Sequence, residues 1–327
     1  MIISSTPFRI SLIGGGTDFR EYYEKFGGKV IGFAINKYCN IFFRYGNSLM
    51  EYNFRIAYSK IELVNQIEHI NHPSVREVSK FYNIKQPYDL LHNGDLPAKT
   101  GLGSSSSFTV GMCKIFRNLK KLDDDPYQLA KDAIFIEQKK IKESVGSQDQ
   151  ILAAFGGFNK IDFTNKKIVV KKILLESRKI KQISNNFLLM YTGIVRYANV
   201  IEKSKIIHLD KKFKFYESIK SLVDQVEDCF TKDLYIDLKI IGEILDYSWD
   251  LKKNLSSKVS NSFLDQIYKE AKKRGAYGGK ILGAGGGGFF LFVVPSNKLL
   301  NFKKYFKKFK FVDYSISTRG STIIYNE

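Results

Sequence analysis

"PAKTGLGSSSS", residues 97–107, places two glycines and then four consecutive serines before a run of apolar residues. Apolar residues follow it at helical spacing: Phe108, Met112, Ile115, Phe116 and Leu119. The glycines and serines therefore lead into a helix N-terminus, where the first backbone N–H groups lack partners and the helix dipole is positive. Glycines let an anion approach the backbone, and serine hydroxyls add donors or a metal ligand. The stretch predicts a phosphate-binding loop, with a serine cap behind a glycine turn as the simpler alternative.

Length and composition indicate a globular protein. The chain has 327 residues, enough for one large domain or two smaller ones. No apolar run is long enough to span a bilayer, and the first residues lack the basic and apolar segments of a signal peptide. The three cysteines, Cys39, Cys113 and Cys229, lie far apart without metal-ligand spacing. We therefore expect a cytoplasmic protein with no disulfide framework and no membrane partner.

The charge balance points to anionic ligands. The net charge is +19, from 52 basic and 33 acidic residues. In "NFKKYFKKFKF", residues 301–311, the residues Phe302, Phe306 and Phe309 recur at helical spacing while the lysines point elsewhere. This pattern is typical of an amphipathic helix with a solvated basic side, and no nucleic-acid-binding motif accompanies it. We expect small phosphorylated ligands and no nucleic-acid partner; the oligomeric state is left open.

The secondary-structure patterns predict an α+β protein of two lobes. Short β-rich runs fill residues 1–60, helical patterns dominate residues 104–155, and three long helical patterns fall between about 199 and 274. "NNFLLMYTG", residues 185–193, opens the second half. We place the lobes at residues 1–183 and 184–327.

Two more glycine-rich stretches lie near the chain ends. "TPFRISLIGGGTDF", residues 6–19, places an arginine before a strand-like run and Asp18 after three glycines. "GGKILGAGGGGFFLFVV", residues 278–294, places a glycine cluster between two strand-like runs. Either stretch alone is explained by a tight turn or a bulge. Together with residues 97–107, and in this order, they resemble the motifs of the GHMP kinase family of small-molecule kinases.

This resemblance implies a fold and a set of binding residues. The expected N-terminal lobe is similar to ribosomal protein S5 domain 2, the C-terminal lobe is ferredoxin-like, and ATP and substrate bind in the cleft between them. The residues expected to bind ATP are Pro97, Gly101, Leu102, Gly103, Ser104, Ser105 and Ser106. The residues expected to contact substrate are Gly15, Gly16, Thr17, Asp18, Arg196, Gly285 and Gly286.

Two carboxylates fall on apolar helical faces. Glu137 shares a face with Ile134, and Asp149 shares one with Val145 and Leu152. A carboxylate there is costly unless it is paired or ligates a metal, and a salt bridge at the edge of the face is the simpler alternative. Phosphoryl transfer needs a metal and usually a proton acceptor. Of two such carboxylates, one can ligate the metal and the other can accept the proton.

The resemblance assigns roles to these residues. "GSQDQ", residues 146–150, is similar to the galactokinase-type segment whose aspartate is the proposed catalytic base, here Asp149. Arg9 matches the arginine of the first galactokinase motif and can stabilise charge on the transferring phosphoryl group, with an ordinary ion pair as the alternative. Glu137 and Ser105 correspond to the expected ligands of Mg²⁺.

Residues 15–18 narrow the substrate class. Galactokinases carry Glu-His before Thr-Asp; here Gly15 and Gly16 stand in that place, while Asp18 is kept. With residues 97–111, 146–159 and 191–198, the pattern resembles the branch of the family that phosphorylates the anomeric hydroxyl of D-glycero-D-manno-heptose 7-phosphate, giving the 1,7-bisphosphate used for nucleotide-activated heptose. Arg196 or Lys99 is then expected to meet the 7-phosphate. The alternatives are a kinase of a neutral sugar such as L-fucose and a catalytically idle regulator that binds ligand.

Overall fold

The computed structural model describes residues 1–46, 49–195, 201–202 and 209–327. Two sheets with packed helices give the predicted α+β architecture. The strands are β1 (Ile2–Ile13), β2 (Gly28–Tyr45), β3 (Phe54–Ala57), β4 (Ile61–Val64), β5 (Tyr88–Gly94), β6 (Phe158–Phe163), β7 (Ile168–Lys172), β8 (Phe187–Tyr191), β9 (Gly278–Ile281), β10 (Phe289–Val293), β11 (Lys310–Val312) and β12 (Thr322–Asn326). The helices are α1 (Arg20–Phe26), α2 (Pro73–Phe81), α3 (Ser104–Leu119), α4 (Pro126–Phe135), α5 (Gln148–Phe155), α6 (Ser177–Asn186), α7 (Leu209–Thr231), α8 (Leu238–Lys253), α9 (Ser262–Lys273) and α10 (Leu299–Tyr305). None of the helices in these ranges is both long and apolar enough to cross a membrane.

β2 holds the larger sheet together. The strand order is β12-β1-β2-β5-β3-β4, with β6 on β2 and β7 on β6. β2 is 18 residues long, so its second half pairs with β5 while its first half pairs with β6. β1 runs antiparallel along nearly all of β2, which places the end of β1 and the glycines after it beside the start of β2.

α3 is the buried helix that follows the glycine–serine stretch. It packs on β1 and β2 and contacts α2, α4 and α5. Because the sheet and the other helices enclose it, every side chain from Ser106 to Phe116 is buried. The helix predicted from Phe108 onward is confirmed, and its rigid packing fixes the position of its N-terminus.

The smaller sheet has the order β11-β8-β10-β9. α8 packs on β9 and β10, and Trp249 and Phe292 lie in the core of this part of the molecule. The amphipathic helix predicted to reach Phe309 is too long: α10 ends at Tyr305, because the chain then turns so that residues 310–312 pair with β8.

The chain crosses between the two sheets more than once. β12, at the end of the chain, pairs with β1 in the larger sheet. α7 packs on β1 and β2, and its Asp224 contacts Lys29 of β2 and Lys160 of β6. The expected boundary between residues 183 and 184 falls inside α6, which runs directly into β8. The lobe ranges 1–183 and 184–327 stay a prediction.

Candidate active site

A cavity of about 790 Å³ is lined by residues of both sheets and their helices, a volume typical of small-molecule sites. All three glycine-rich stretches reach it. They contribute Gly14, Gly15 and Gly16 from the first, Gly101 and Gly103 from the second, and Gly283 and Ala284 from the third. Residues that are far apart in the sequence therefore converge on one space.

Gly101 and Gly103 give the glycine–serine loop its shape. Their φ angles are +92° and +75°, a region that residues with a Cβ adopt at a cost. Gly103 is the N-cap of α3 and brings no side-chain oxygen to the first N–H groups of the helix. Ser104, Ser105 and Ser106 line the cavity at this helix end. The loop thus offers N–H groups, hydroxyls and a positive dipole to an anion.

Pro97 and Leu102 hold the loop from outside the cavity lining. The Pro97 carbonyl accepts a hydrogen bond from the Thr100 hydroxyl at 2.8 Å. The buried Leu102 accepts one at its carbonyl from the backbone N–H of Arg9 at 3.1 Å. These two residues fix the loop conformation, whereas the glycines and serines between and after them reach the cavity.

Arg9 connects the loop to Asp149 across 140 positions of sequence. Its Nε donates to Oδ1 of Asp149 at 2.7 Å, its Nη2 donates to Oδ2, and its Nη1 donates to the Gly101 carbonyl at 2.6 Å. The Arg9 side chain is 4% exposed, while Asp149 is 24% exposed and lines the cavity. The bidentate pair therefore fixes the Asp149 carboxylate beside the loop and leaves it within reach of a ligand.

Asp149 lies in the first turn of α5. The helix begins at Gln148, so Val145 lies outside it, and the predicted shared face of Val145 and Asp149 is wrong. The chain approaches the helix through Gly146, where a Cβ atom would lie 1.9 Å from Oδ2 of Asp18. This close approach ends the preceding segment and starts α5 later than the apolar spacing suggests.

Asp18 is a buried carboxylate at the end of the first glycine stretch. Its Oδ1 accepts a hydrogen bond from the backbone N–H of Gly16 at 2.8 Å, and its Oδ2 accepts one from that of Gln148 at 3.1 Å. Burial raises the pKa of Asp18 to about 6, the nearby Asp149 charge adds to the rise, and the two N–H donors oppose it. Gly15, Gly16 and Asp18 all line the cavity, so a ligand hydroxyl can reach this carboxylate.

Thr17 shapes this turn from behind. It is fully buried, outside the cavity lining, and its hydroxyl donates to the Gly14 carbonyl at 2.8 Å. Gly14 has a φ of +94°, and a Cβ there would lie 2.0 Å from the Lys29 carbonyl oxygen. The turn therefore requires glycine, and the expected contact of Thr17 with substrate stays a prediction.

Glu137 is fully buried in the π-helical turn Ile136–Lys140 that follows α4. Its Oε2 accepts hydrogen bonds from the Ser106 hydroxyl at 3.0 Å and from the Gln150 amide at 2.5 Å. Its Oε1 has no hydrogen-bond partner among the residues that the structure describes. Burial raises the pKa of Glu137 to about 7. Glu137 thus lies directly behind the serine loop, outside the cavity lining, while Ser105 is exposed and lines the cavity.

The donor set fits a magnesium ion of the kind found in kinases. No group of three or more His, Cys, Asp or Glu that could hold a metal occurs within the described ranges. Mg²⁺ in such sites commonly uses one or two protein oxygens together with substrate phosphates and water. An unpartnered buried carboxylate oxygen on Glu137 and serine hydroxyls at the same helix end are ligands of that kind.

The third glycine stretch brings the second sheet against the glycine–serine loop. A Cβ on Gly288 would lie 2.1 Å from the Thr100 carbonyl oxygen, and the Phe289 N–H donates to that carbonyl at 3.1 Å. Gly285 and Gly286 lie outside the cavity lining and pack on Val259. The expected substrate contacts of Gly285 and Gly286 stay predictions, whereas Gly283 and Ala284 of the same stretch line the cavity.

The cavity also has an aromatic part that no sequence motif indicated. His72 stacks near Phe108, with ring centroids 4.6 Å apart, and lies 4.9 Å from the Tyr58 ring. Burial lowers the pKa of His72 to about 4, so its imidazole is neutral at physiological pH. These residues and His92 line the cavity. Phe108 had been expected only as a core residue, and the histidines carry no spacing signal.

Cations of the cavity come from both lobes. Lys99 lines it beside the serine loop, and its backbone N–H lies 3.3 Å from the Ser104 hydroxyl oxygen. Lys252 on α8 and Lys280 on β9 also line it, and sequence reasoning missed both. Arg196, the expected partner of a sugar phosphate, lies outside the described residues.

Two family models match the chain. Residues 60–157 match the GHMP kinases N terminal domain, and residues 226–309 match the GHMP kinases C terminal region. The chain is 33% identical to the D-glycero-alpha-D-manno-heptose 7-phosphate kinase of Campylobacter jejuni, over 94% of this chain and 93% of that protein. Matches of this extent define the class: the chain belongs to the GHMP kinase family of ATP-dependent phosphotransferases.

Two further similarities are informative. The crystal structure of a D-glycero-D-manno-heptose 1-phosphate kinase from Bacteroides thetaiotaomicron superposes with a TM-score of 0.81 over the full length of both chains, at 22% identity, which supports the fold. The bifunctional fucokinase/GDP-fucose pyrophosphorylase of Arabidopsis thaliana is 27% identical over 60% of this chain and only 19% of that protein.

Proposed function

We propose that the protein transfers the γ-phosphoryl group of ATP to the anomeric hydroxyl of D-glycero-D-manno-heptose 7-phosphate. The products are ADP and the 1,7-bisphosphate, an intermediate for nucleotide-activated heptose. The observation that carries this proposal is the Arg9–Asp149 pair, which lies in one cavity between the glycine–serine loop and the Asp18 turn. The identity to the Campylobacter jejuni kinase supports the heptose phosphate as acceptor.

The transfer uses these residues in a defined order. The sugar hydroxyl, bound near Asp18, attacks the γ-phosphorus; the bond from phosphorus to the β–γ bridging oxygen breaks, and ADP leaves with that electron pair. The hydroxyl proton passes to the Asp149 carboxylate, whose oxygens retain lone pairs beyond those used by Arg9. Arg9 also stabilises charge that develops on the phosphoryl oxygens.

The phosphates of ATP are held by Gly101, Gly103 and the first-turn N–H groups of α3. Ser105 and Glu137 would hold Mg²⁺, which neutralises phosphate charge when it is bound. Glu137 is positioned for this role by Ser106 and Gln150, which leave one carboxylate oxygen available. ATP and a phosphorylated sugar are the expected partners, and the cytoplasm, where ATP is available, is the expected compartment.

A substrate panel tests the proposal. The purified protein is incubated with ATP, Mg²⁺ and one of five sugars: heptose 7-phosphate, heptose 1-phosphate, unphosphorylated heptose, L-fucose or D-galactose. ADP release gives kcat/KM, and ³¹P NMR identifies the phosphorylated position. We expect heptose 7-phosphate to give the highest kcat/KM of the five sugars and a product phosphorylated at the anomeric position. A higher kcat/KM for any other sugar would overturn the assignment.

The panel also distinguishes between the substrates named for two similar proteins. One is called a heptose 7-phosphate kinase and the other a heptose 1-phosphate kinase. The second candidate, a kinase of a neutral sugar, has the Arabidopsis thaliana fucokinase relative in its favour. A kcat/KM for L-fucose above that for both heptose phosphates would support it.

A further inference from the structure

Two buried lysines on the second-lobe side of the cavity stand out from the rest of its lining. Lys252 and Lys280 are 7% and 4% exposed, and both line the cavity. Lysine is rarely buried to this extent without a charged or polar partner, because removing an ammonium group from water is costly. Both lysines have polar partners, which hold them at the cavity.

Backbone carbonyls hold both ammonium groups in place. Lys252 Nζ donates to the carbonyls of Ile281 at 2.9 Å and Gly283 at 2.5 Å, and Lys280 Nζ donates to the carbonyl of Leu12 at 2.6 Å. Ile281 follows Lys280 directly in the chain, so one short segment carries Lys280 and anchors Lys252. The two side chains are thus pre-positioned rather than free to search for an anion.

The Leu12 contact locates these lysines relative to the substrate turn. Leu12 lies near the end of β1, just before Gly14, Gly15 and Gly16. Lys280, from the smaller sheet, therefore reaches across to the strand that leads into the Asp18 turn. This is the acceptor side of the cavity, whereas Tyr58 and His72 lie near Phe108 of α3.

Ser248 places a hydroxyl in the cavity on the same helix as Lys252. It lies one helical turn before Lys252 on α8, is 2% exposed and also lines the cavity. Residues four apart on a helix share a face, so α8 presents a hydroxyl and an ammonium group together. A phosphate monoester has oxygens enough to accept from both, and charge-assisted bonds of this kind are strong.

The charged side chains that line the cavity can orient a phosphorylated acceptor. Its carboxylates are Asp18, Glu143, Asp149 and Glu202, and its cations are Arg9, Lys99, Lys252 and Lys280. Arg9 is committed to Asp149, and Lys99 lies beside the serine loop. A dianionic group on the acceptor is repelled by these four carboxylates and attracted by the cations, of which Lys252 and Lys280 lie on α8 and β9.

We propose that Lys252 and Lys280, with Ser248, form a phosphate-binding subsite that selects a phosphorylated acceptor over its unphosphorylated form. This inference rests on the proposed function and deepens it. The subsite holds a phosphate that is not the one transferred, so it determines specificity without taking part in the transfer. Sugar hydroxyls meet Asp18, and the acceptor's own phosphate meets the lysines.

The test compares Lys252→Met and Lys280→Met with a matched control, Lys179→Met. Lys179 is also buried, 5% exposed, and its ammonium group donates to the Phe230 carbonyl at 2.7 Å, but it lies outside the cavity lining. Methionine keeps most of the side-chain length and removes the charge. For all four proteins, KM and kcat are measured with heptose 7-phosphate and with unphosphorylated heptose, together with KM for ATP and the melting temperature.

We expect each cavity variant to raise KM for heptose 7-phosphate by about tenfold or more, the worth of one charge-assisted contact. KM for the unphosphorylated heptose and for ATP should stay within about twofold, and Lys179→Met should lower the melting temperature without changing the preference between the two sugars. Equal losses on both sugars, or an unchanged preference, would overturn the subsite.

A binding measurement separates failure of the subsite from failure of the proposed function. Inorganic phosphate is titrated calorimetrically into the wild type saturated with a non-hydrolysable ATP analogue, so that the serine loop is already occupied. If heptose 7-phosphate is not a substrate but phosphate binds, and does so at least about tenfold more weakly to both cavity variants, the subsite stands and the heptose assignment falls. If heptose 7-phosphate is phosphorylated but the variants bind phosphate as the wild type does, the assignment stands and the subsite falls.

Discussion

The two walls of the cavity that we propose to bind phosphate use different chemistry. At the N-terminus of α3, glycines with positive φ and three serines present backbone N–H groups and hydroxyls. On α8 and β9, the corresponding groups are the buried ammonium groups of Lys252 and Lys280. The first wall needs close approach of the backbone, whereas the second needs charge held at a fixed point.

This difference determines which changes harm each wall. A backbone site is damaged by adding a Cβ atom, since the ligand or the loop must move to make room for it. A side-chain site is damaged by removing charge while the shape is kept. Asp149 is linked to the loop through Arg9, which also donates to the Gly101 carbonyl, and it lines the same cavity as the lysines.

Asp149→Asn should give the largest effect and leave both walls intact. Asparagine keeps the shape but cannot accept the proton, so we expect kcat to fall by about two orders of magnitude or more, in the range of general-base contributions. KM for ATP and for the sugar should change only a few-fold. Steady-state kinetics check this, and the melting temperature measures the cost of leaving buried Arg9 without its counter-ion.

Asp313→Asn is the control, because the Asp313 side chain is fully exposed and lies 3.8 Å from Lys303, remote from the cavity lining. It should keep the kcat of the wild type. If Asp149→Asn also keeps kcat within a few-fold, Asp149 is a structural partner of Arg9 and the transfer proceeds without a carboxylate base.

Gly103→Ala should damage the glycine–serine wall and leave the wall of Lys252 and Lys280 unchanged. Gly103 has a φ of +75°, and an added Cβ would lie 3.2 Å from the Arg9 side chain. We expect KM for ATP to rise by about tenfold, the equivalent of one lost charge-assisted contact, with much less change in KM for the sugar phosphate. Steady-state kinetics with each substrate varied in turn measure the two effects.

Gly275→Ala separates the effect of backbone strain from the effect of changing the glycine–serine loop. Gly275 also has a positive φ, +98°, and its added Cβ would meet only the flexible Lys298 side chain, at 3.1 Å. Both alanine variants should lose about 1–3 kcal/mol of stability from the strained φ. An equal rise in KM for ATP in both variants would mean that general destabilisation, rather than the loop, explains the effect.

The backbone wall could be predicted from the sequence because its parts are consecutive. Residues 101–107 alone contain the glycines, the serines and the helix start, and the apolar pattern from Phe108 confirms the helix. Arg9, Asp18 and Asp149 were assigned from the resemblance to the GHMP kinase motifs, while the helical face proposed for Asp149 was wrong. The α+β class followed from the same local patterns.

The side-chain wall could not be predicted in this way. Lys252 and Lys280 are two among 52 basic residues; Lys280 lies within the third glycine-rich stretch, but that stretch does not mark its side chain as buried, and no motif surrounds Lys252. Their burial depends on tertiary contacts with Leu12, Ile281 and Gly283, which only the fold brings together. The late start of α5 has the same origin, since it follows from the contact between Gly146 and Asp18.

Glu137→Gln should give the smallest effect, a pH-dependent change in the free energy of unfolding relative to the wild type. Burial raises the pKa of Glu137 from 4.5 to about 7, so between these values the folded protein binds a proton that the unfolded chain has released. Stability of the wild type therefore falls as pH rises from about 4.5 to about 7 and is then independent of this group. The glutamine variant lacks this titration, so its stability relative to the wild type should increase across the same range.

Denaturant unfolding of both proteins at several pH values measures this difference, and Asp18, whose pKa is also raised, contributes equally to both proteins and cancels. Glutamine at position 137 can keep the contact with the Ser106 hydroxyl. The Oε1 atom of Gln150 is unpartnered within the described part of the chain, so the Gln150 amide can rotate and accept a hydrogen bond from the new glutamine. At pH 8, where Glu137 is ionised, added Mg²⁺ with an ATP analogue should raise the melting temperature of the wild type more than that of the variant. An identical response to Mg²⁺ would assign Glu137 to holding the serine loop rather than to binding the metal.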